Sequence, residues 1–397
     1  MFKSLAIALA FFFVQPTFLF GALISWLNGR KRINDERKTL RVAVYKHLIE
    51  SKEFFTGGLF IGLIISFFTV LLGTPVLLEW AVLYQLVTIV LFIFDYRFIH
   101  PMFTFSLSGL FLLGYVKYFP TLTIPSVSAF GYTLFGERVN FEYEHVQSLL
   151  VFVCLLVIAT AVKLVKSDQL ILSPRFMKTK RGKLVASYQM KPMWLVPLLL
   201  IVPGNAFQAF FSWWPVFTIG TDTYTFFMLP VLIGLRYTLK TQLPEDAASK
   251  LSRELLFVAG ISILSLVGSF WYPVVGVIGL GLLVITGFAT LYRHRLRERS
   301  WHFVYAPEEN GWKVVGVRPD TPGDKMDLRI GDTILECNQL TKEKVDTFYE
   351  AIEVNRVYCK MRVKRADGEI VLAETAIYDH SPHDLGIIVV EDGEKIV

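Results

Sequence analysis

The chain has 397 residues, 53% of them hydrophobic, and its 40 Lys and Arg outnumber 34 Asp and Glu. A mean hydropathy of +0.49 excludes a protein that is soluble throughout, and three well-separated cysteines exclude a disulfide framework or a cysteine zinc centre. The apolar surplus lies in the first three quarters; the last hundred residues are dense in charge and read as one small soluble domain.

Apolar runs long enough to cross a hydrocarbon layer of ~30 Å recur along the first part. Nine candidate spans follow in order at 4–27, 56–73, 80–94, 101–119, 146–165, 194–214, 216–235, 255–271 and 273–291. The expected range is seven to nine. The run from Ser4 to Leu27 is too long for the apolar region of a cleaved signal and reads as a retained span. Pro215 and Pro273 sit between the halves of two tight pairs, where a hairpin turn or kink is expected.

Basic loops alternate with poorly basic ones. "GRKRINDERKTLR" follows the first span, and a Lys/Arg-rich stretch covers 166–193. Arg236, Lys240, Lys250 and Arg253 follow the seventh span, and "RHRLRER" follows the ninth. With nine spans and an external N-terminus all four lie on the cytoplasmic side, as the positive-inside rule demands. The same clusters are suited to anionic lipid. Ionisable residues inside spans are scarce. Asp95, Arg97, Lys117 and Lys163 fall near span ends, and Asp222 is the deepest. A transport path or proton relay would need more.

Catalytic signatures are missing from the sequence. There is no His-Glu-x-x-His for a membrane zinc protease. "SLSG" at 106–109 has Ser106 where a rhomboid-type site has glycine, and small residues there suit helix packing. We therefore expect no enzymatic activity, no metal, no cofactor and no nucleic-acid partner. A transporter or intramembrane protease carrying a regulatory tail is the alternative.

The tail reads as strand, short helix, strand, helix, hairpin. "WKVVGV" from Trp312 is the first strand, Pro322 opens the short helix, and Gly331-Asp332 turns into the strand Thr333–Cys337. An amphipathic stretch from Thr341 as N-cap to Asn355 predicts the longer helix. Asp367-Gly368 is a hairpin turn. The stretch resembles a PDZ domain of bacterial type, through Val317, Pro319, Thr321-Pro322, Leu328, Gly331-Asp332, Ile334 and Asn338. It departs from that pattern at Gly323, Asp327 and Gln339.

That resemblance implies a peptide groove. PDZ domains add a peptide as an extra strand and hold its carboxylate in a nest of backbone N–H groups. Two loops compete for the nest. "DLGIIVV" offers Leu385, Gly386 and Ile387, followed by Ile388, in circularly permuted order. "SWHF" offers Trp301, His302 and Phe303. Lys344 and Phe348 would border the groove from the helix. Gly386→Val is expected to obstruct the nest with little loss of folding, as in a surface loop.

The whole architecture comprises a polytopic α-helical membrane domain at 1–292, a basic linker at 293–300 and a small α+β PDZ-like domain at 301–397. It resembles the MinJ-type topological determinants of cell division in rod-shaped Gram-positive bacteria. The resemblance implies a scaffold in the bacterial cell membrane, gathered at division septa and poles. Such a scaffold bridges a polar coiled-coil protein of the DivIVA type to a membrane ATPase of the MinD type. It thereby places the MinC inhibitor of the division ring.

Overall fold

The computed structural model describes residues 2–119, 127–129, 132–134, 141, 145–166, 171–179, 182–209, 211, 213–217, 223–299, 303–345, 347–355, 357–377 and 385–391. The membrane part opens with α1 (Phe2–Phe12) and α2 (Pro16–Leu40). Then come α3 (Ile49–Gly57) and α4 (Leu59–Leu72), separated only by Gly58, followed by α5 (Leu78–Phe94), α6 (Pro101–Tyr118), the small hairpin β1 (Val127–Ala129) and β2 (Tyr132–Leu134), and α7 (Val146–Lys166). Among the described residues four helical stretches are long and apolar enough to cross a membrane: Ile49–Leu72, Val146–Lys166, Pro244–Ser269 and Pro273–Arg297. The bent pair Lys3–Phe12 and Pro16–Leu40 makes a fifth if it is one span, and Leu78–Phe94 is a shorter apolar helix.

The candidate spans 194–214 and 216–235 are not helices. They are the strands β5 (Met193–Gln208) and β6 (Thr223–Gly234), paired antiparallel with Pro197 opposite Pro230. The fold class expected from sequence is corrected accordingly: helices pack around a two-stranded β ribbon. The physical reason for the error is burial on both faces. Trp194, Val196, Leu198 and Leu200 of β5 enter the main core with Leu229 and Val231 of β6. Leu195, Leu232, Ile201 and Phe226 point the other way into two smaller cores. A strand buried on both faces reads as a continuous apolar run, with no alternation to betray it.

An open ribbon among apolar helices must satisfy its outer peptide groups. Prolines do part of this, since Pro197, Pro203 and Pro230 have no N–H to leave unpaired. Neighbours supply the rest. Leu199 N donates to Ser66 Oγ (2.9 Å), and Val76 N donates to Ile201 O (2.9 Å). On the other edge Leu232 N donates to Tyr84 Oη (3.1 Å), Phe226 N to Ser4 Oγ (3.2 Å) and Gly234 N to Ile99 O (3.0 Å). Gln15 Nε2 donates to Met228 O (2.6 Å). Gly58 and Gly62 let the helix backbone lie directly on β5, for a Cβ on either would collide with the backbone of Leu195 or Pro197.

The strands β3 (Pro174–Lys178), β4 (Leu184–Met190) and β7 (Tyr237–Leu239) form a small sheet at the foot of the ribbon, in the order β3-β4-β7. Two antiparallel-packed helices follow, α8 (Pro244–Ser269) and α9 (Pro273–Arg297), with Pro273 in the first turn of α9. The helices are bound by small residues: Ser262 Oγ and Ser252 Oγ of α8 donate to Leu150 O and Ala161 O of α7, both 2.9 Å.

All four basic stretches gather at this end. Arg175 pairs with Asp35 (3.0 Å), β4 pairs with β7, and the Glu298 carboxylate accepts from Lys240 N (2.7 Å). The ribbon leaves and returns at the same end, so replacing two spans by one hairpin does not change which loops lie together. Three of the four near-end charges are paired, for Lys163 Nζ reaches Glu53 (3.1 Å) and Gly57 O (2.6 Å), and Asp95 holds Arg97 (3.0 Å); Lys117 is exposed at the end of α6, 5.6 Å from the Tyr118 ring. Asp222 lies outside the described residues.

The tail contains β8 (Trp312–Val317), α10 (Pro322–Lys325), β9 (Thr333–Cys337), α11 (Phe348–Glu353), β10 (Tyr358–Lys364), β11 (Ile370–Ala376) and β12 (Ile387–Val390). They form one antiparallel sheet in the order β11-β10-β9-β8-β12. The longer helix expected from Thr341 is corrected. Residues 341–345 form turns, and α11 begins at Phe348 with Thr347 as N-cap, its Oγ1 accepting from Glu350 N (3.4 Å).

Candidate functional site

The chain's last described strand, β12, is an edge strand, paired through Ile387 opposite Val317 to β8 and with no strand on its other side among the described residues. Leu385 and Gly386 lead into it, as the sequence implies for a peptide-receiving strand. Gly386 has φ +75°, a left-handed conformation that glycine adopts without strain.

Local bonds fix this turn. Gly386 O accepts from Arg318 N (2.8 Å), and Leu385 O accepts from Gly323 N (2.8 Å). A Cβ on Gly386 would run into the Thr321 side chain, whose hydroxyl donates to Arg318 O (2.6 Å). The expectation that Gly386→Val spares the fold is therefore corrected. The position is buried, conformationally restricted and packed, unlike a surface loop.

Gly331-Asp332 serves the same framework. Gly331 has φ +99°. The Asp332 carboxylate is 3% exposed and accepts from Arg329 N (2.9 Å) and Arg365 Nη1 (2.9 Å). Burial raises its pKa above the ordinary aspartate value against the pull of these donors. Arg365 also reaches Asp327 (3.0 Å), tying β10 to the turn before β9.

The helix side is divided. Phe348 is a core residue, its ring 5.4 Å from that of Trp312, and its N–H donates to Glu391 Oε1 (2.6 Å). That bond holds the start of α11 against the end of β12. Lys344 is exposed in the preceding turn. Of the alternative loop, Phe303 is half-buried beyond α9, while Trp301 and His302 lie outside the described residues. Arg293, Arg295 and Arg297 belong to the end of α9.

Sequence reasoning missed what lies behind β12. Ile387 and Val389 enter the tail's own core, but Ile388 and Val390 join Val315 in the core of the membrane part. Tyr188 of β4 donates to Val315 O (2.5 Å), and its ring meets Tyr305 edge-on at 4.7 Å. Tyr305 Oη donates to Gln242 O (2.8 Å), and Ala186 N donates to Tyr305 O (3.1 Å). The signal was present in "IIVV", four apolar residues without alternation.

Geometrically, then, the tail presents an edge strand, a glycine turn before it and a helix start beside it, all anchored to the basic end of the membrane part. No protein-family profile and no solved structure matches the chain. Curated relatives do. The cell division topological determinant MinJ of Bacillus subtilis (strain 168) is 27% identical over 386 residues, covering 97% of this chain and 94% of the relative. A probable cell division topological determinant MinJ of Lacticaseibacillus paracasei is 29% identical over 269 residues, covering 64% of this chain and 68% of the relative. The similarity thus takes in both the helix-and-ribbon part and the tail, and over nearly its whole length this chain resembles the MinJ-type topological determinants.

Proposed function

We propose that the chain is a non-enzymatic membrane scaffold that helps place the cell-division site. The observation that carries this reading is the similarity to a cell division topological determinant over 97% of the chain. In this reading the basic end faces the cytoplasm and the tail offers the outer edge of β12, which no described strand covers, to a peptide strand. Its partners are a polar coiled-coil protein of the DivIVA type and a membrane ATPase of the MinD type. Confinement to the membrane surface raises the effective concentration of a weak peptide-binding module against other membrane-bound proteins, so modest contacts suffice.

The test is localisation in living cells. A fluorescent fusion is expected to gather at septa and poles and to disperse when the DivIVA-type protein is removed. Cells lacking the chain are expected to be filamentous or to misplace septa. Deleting 303–397 should abolish recruitment of a partner. Uniform fluorescence together with normal septa in the deletion strain would overturn the scaffold and favour a transporter.

Orientation has its own test. In a background with Cys154, Cys337 and Cys359 replaced, single cysteines at the exposed positions Lys38, Lys183 and Glu309 should resist a membrane-impermeant thiol reagent in intact cells. Cysteines at Asn205 and Tyr272, exposed at the opposite end, should label. Labelling at Lys183 before lysis would reverse the assignment.

A further inference from the structure

Where the small sheet meets the ribbon there is a cavity of about 110 Å³ ringed by charged and polar residues, large enough to hold several waters. Its walls come from the polar half of α2, the start of α3, and the stretch from β3 to the first residues of β5. Met193 and Trp194 form its apolar floor. The cavity therefore sits at the level where apolar helix and ribbon give way to charged loops, the depth of a lipid headgroup.

Its charges are unevenly matched. Four carboxylates line it, and each already has a cation. Arg32 holds both Glu36 (2.9 Å) and Glu50, Arg175 holds Asp35 (3.0 Å), and Lys163 holds Glu53 (3.1 Å). Lys31 and Lys191 also line the cavity, and neither has an ion-pair or hydrogen-bond partner among the described residues. Lys191 is half-buried, with Arg175, Arg236 and Lys31 as its near cations and Asp35 as its near anion. Burial, and then these cations, lower its pKa to about 8. Neutral polar groups stand around it: Ser25, Asn28 and Ser173 line the space, and the buried Gln189 Oε1 has no hydrogen-bond partner among the described residues.

A half-buried ammonium with no ion-pair partner among the described residues, beside three further cations, is costly. An anion with several oxygens would reverse that cost, accepting from the ammonium, the guanidinium and the hydroxyls together. We propose that this cavity binds a phosphate group at the membrane surface, the headgroup phosphate of an anionic lipid or a free phosphate, with Lys191, Arg175 and Lys31 as its cationic ligands.

The experiment uses the full chain in nanodiscs of phosphatidylcholine, titrated with short-chain phosphatidylglycerol or with inorganic phosphate. Thermal stability and binding are both read. Phosphatidylglycerol should raise the melting temperature of the wild type, and Lys191→Gln should weaken binding at least about fivefold. In pure phosphatidylcholine the same variant should be as stable as the wild type or more so, which separates a lost ligand from a lost fold. Wild-type affinity for phosphatidylglycerol should fall as pH rises through about 8. Deprotonation of Lys191 removes its charge there, while Arg175, Arg236 and Lys31 stay charged and Asp35 stays anionic. Lys191→Arg should keep binding and lose that pH dependence. Binding of the lipid alone assigns a headgroup site, and displacement by millimolar phosphate assigns a soluble one. The proposal is overturned if Lys191→Gln binds within twofold of wild type, or if neither probe binds above the phosphatidylcholine background.

Discussion

Gly58→Leu and Gly62→Leu should each prevent accumulation of folded protein in membranes, whereas Gly114→Leu and Gly281→Leu should accumulate normally. All four lie in or beside apolar helices, so helix propensity and hydropathy favour every substitution equally. The difference is what a side chain would meet. At Gly58 a Cβ collides with Leu195 O, and at Gly62 with Pro197 O at 2.5 Å and Pro197 Cδ at 2.7 Å. At Gly114 and Gly281 nothing lies within 4 Å. Strand backbone cannot swing aside as a side chain can. Separating helix from ribbon would also strip Leu199 N of Ser66. Overpacking of this kind costs about 3 kcal/mol or more. Yield and melting temperature of a detergent-purified fluorescent fusion would decide it. A folded Gly62→Leu protein at wild-type yield would show that the ribbon and α4 do not pack as described.

Arg365→Met should open the tail far more than Asp332→Asn. Both changes break the same pair, yet they leave different remains. Without Arg365, a carboxylate 3% exposed keeps Arg329 N but loses its cation, and stranding a buried charge in this way costs about 3 kcal/mol. Asp332→Asn removes the buried charge, and its amide oxygen can still accept from Arg329 N. The loss should be nearer 1 kcal/mol. The raised pKa of Asp332, caused first by burial, points the same way, because burial makes the charged carboxylate costlier there than in water. Limited proteolysis of the tail in the full-length protein reads the difference. Faster cleavage of Asp332→Asn than of Arg365→Met would mean that the carboxylate itself, and not its partner, holds the turn.

Which features the sequence announces depends on how local their causes are. The tail's turns were legible because Gly331-Asp332, Thr321-Pro322 and Asp367-Gly368 act within a few residues of themselves. The helix start moved from Thr341 to Thr347 because both threonines are competent caps, and the bond from Phe348 N to Glu391, far along the chain, secures the later one. The ribbon strands read as spans in the sequence because hydropathy measures burial and not backbone geometry. The prolines at 197, 203 and 230 were the available cue, for a helix tolerates them poorly whereas the outer edge of a strand does not miss their N–H. The charge-ringed cavity left no trace in spacing at all. Lys31, Arg175 and Lys191 belong to separate elements, and only the fold brings them to one wall.

The ribbon's outer bonds also have an order in time. Ser4, Gln15, Ser66, Val76, Tyr84 and Ile99, which satisfy its edges, all precede Met193 in the chain. A chain delivered to the bilayer from its N-terminus has therefore placed each of these groups before the first ribbon residue leaves the ribosome. The strands emerge into a slot whose hydrogen-bonding partners are waiting, and they need not lie bare in lipid until later helices arrive. Helices α8 and α9 then seal a structure whose least lipid-compatible element is already sheltered. Moving residues 1–100 behind residue 299 would keep every native contact available and still expose the ribbon during synthesis. Such a rearranged chain should be recognised by quality-control proteases before it is complete.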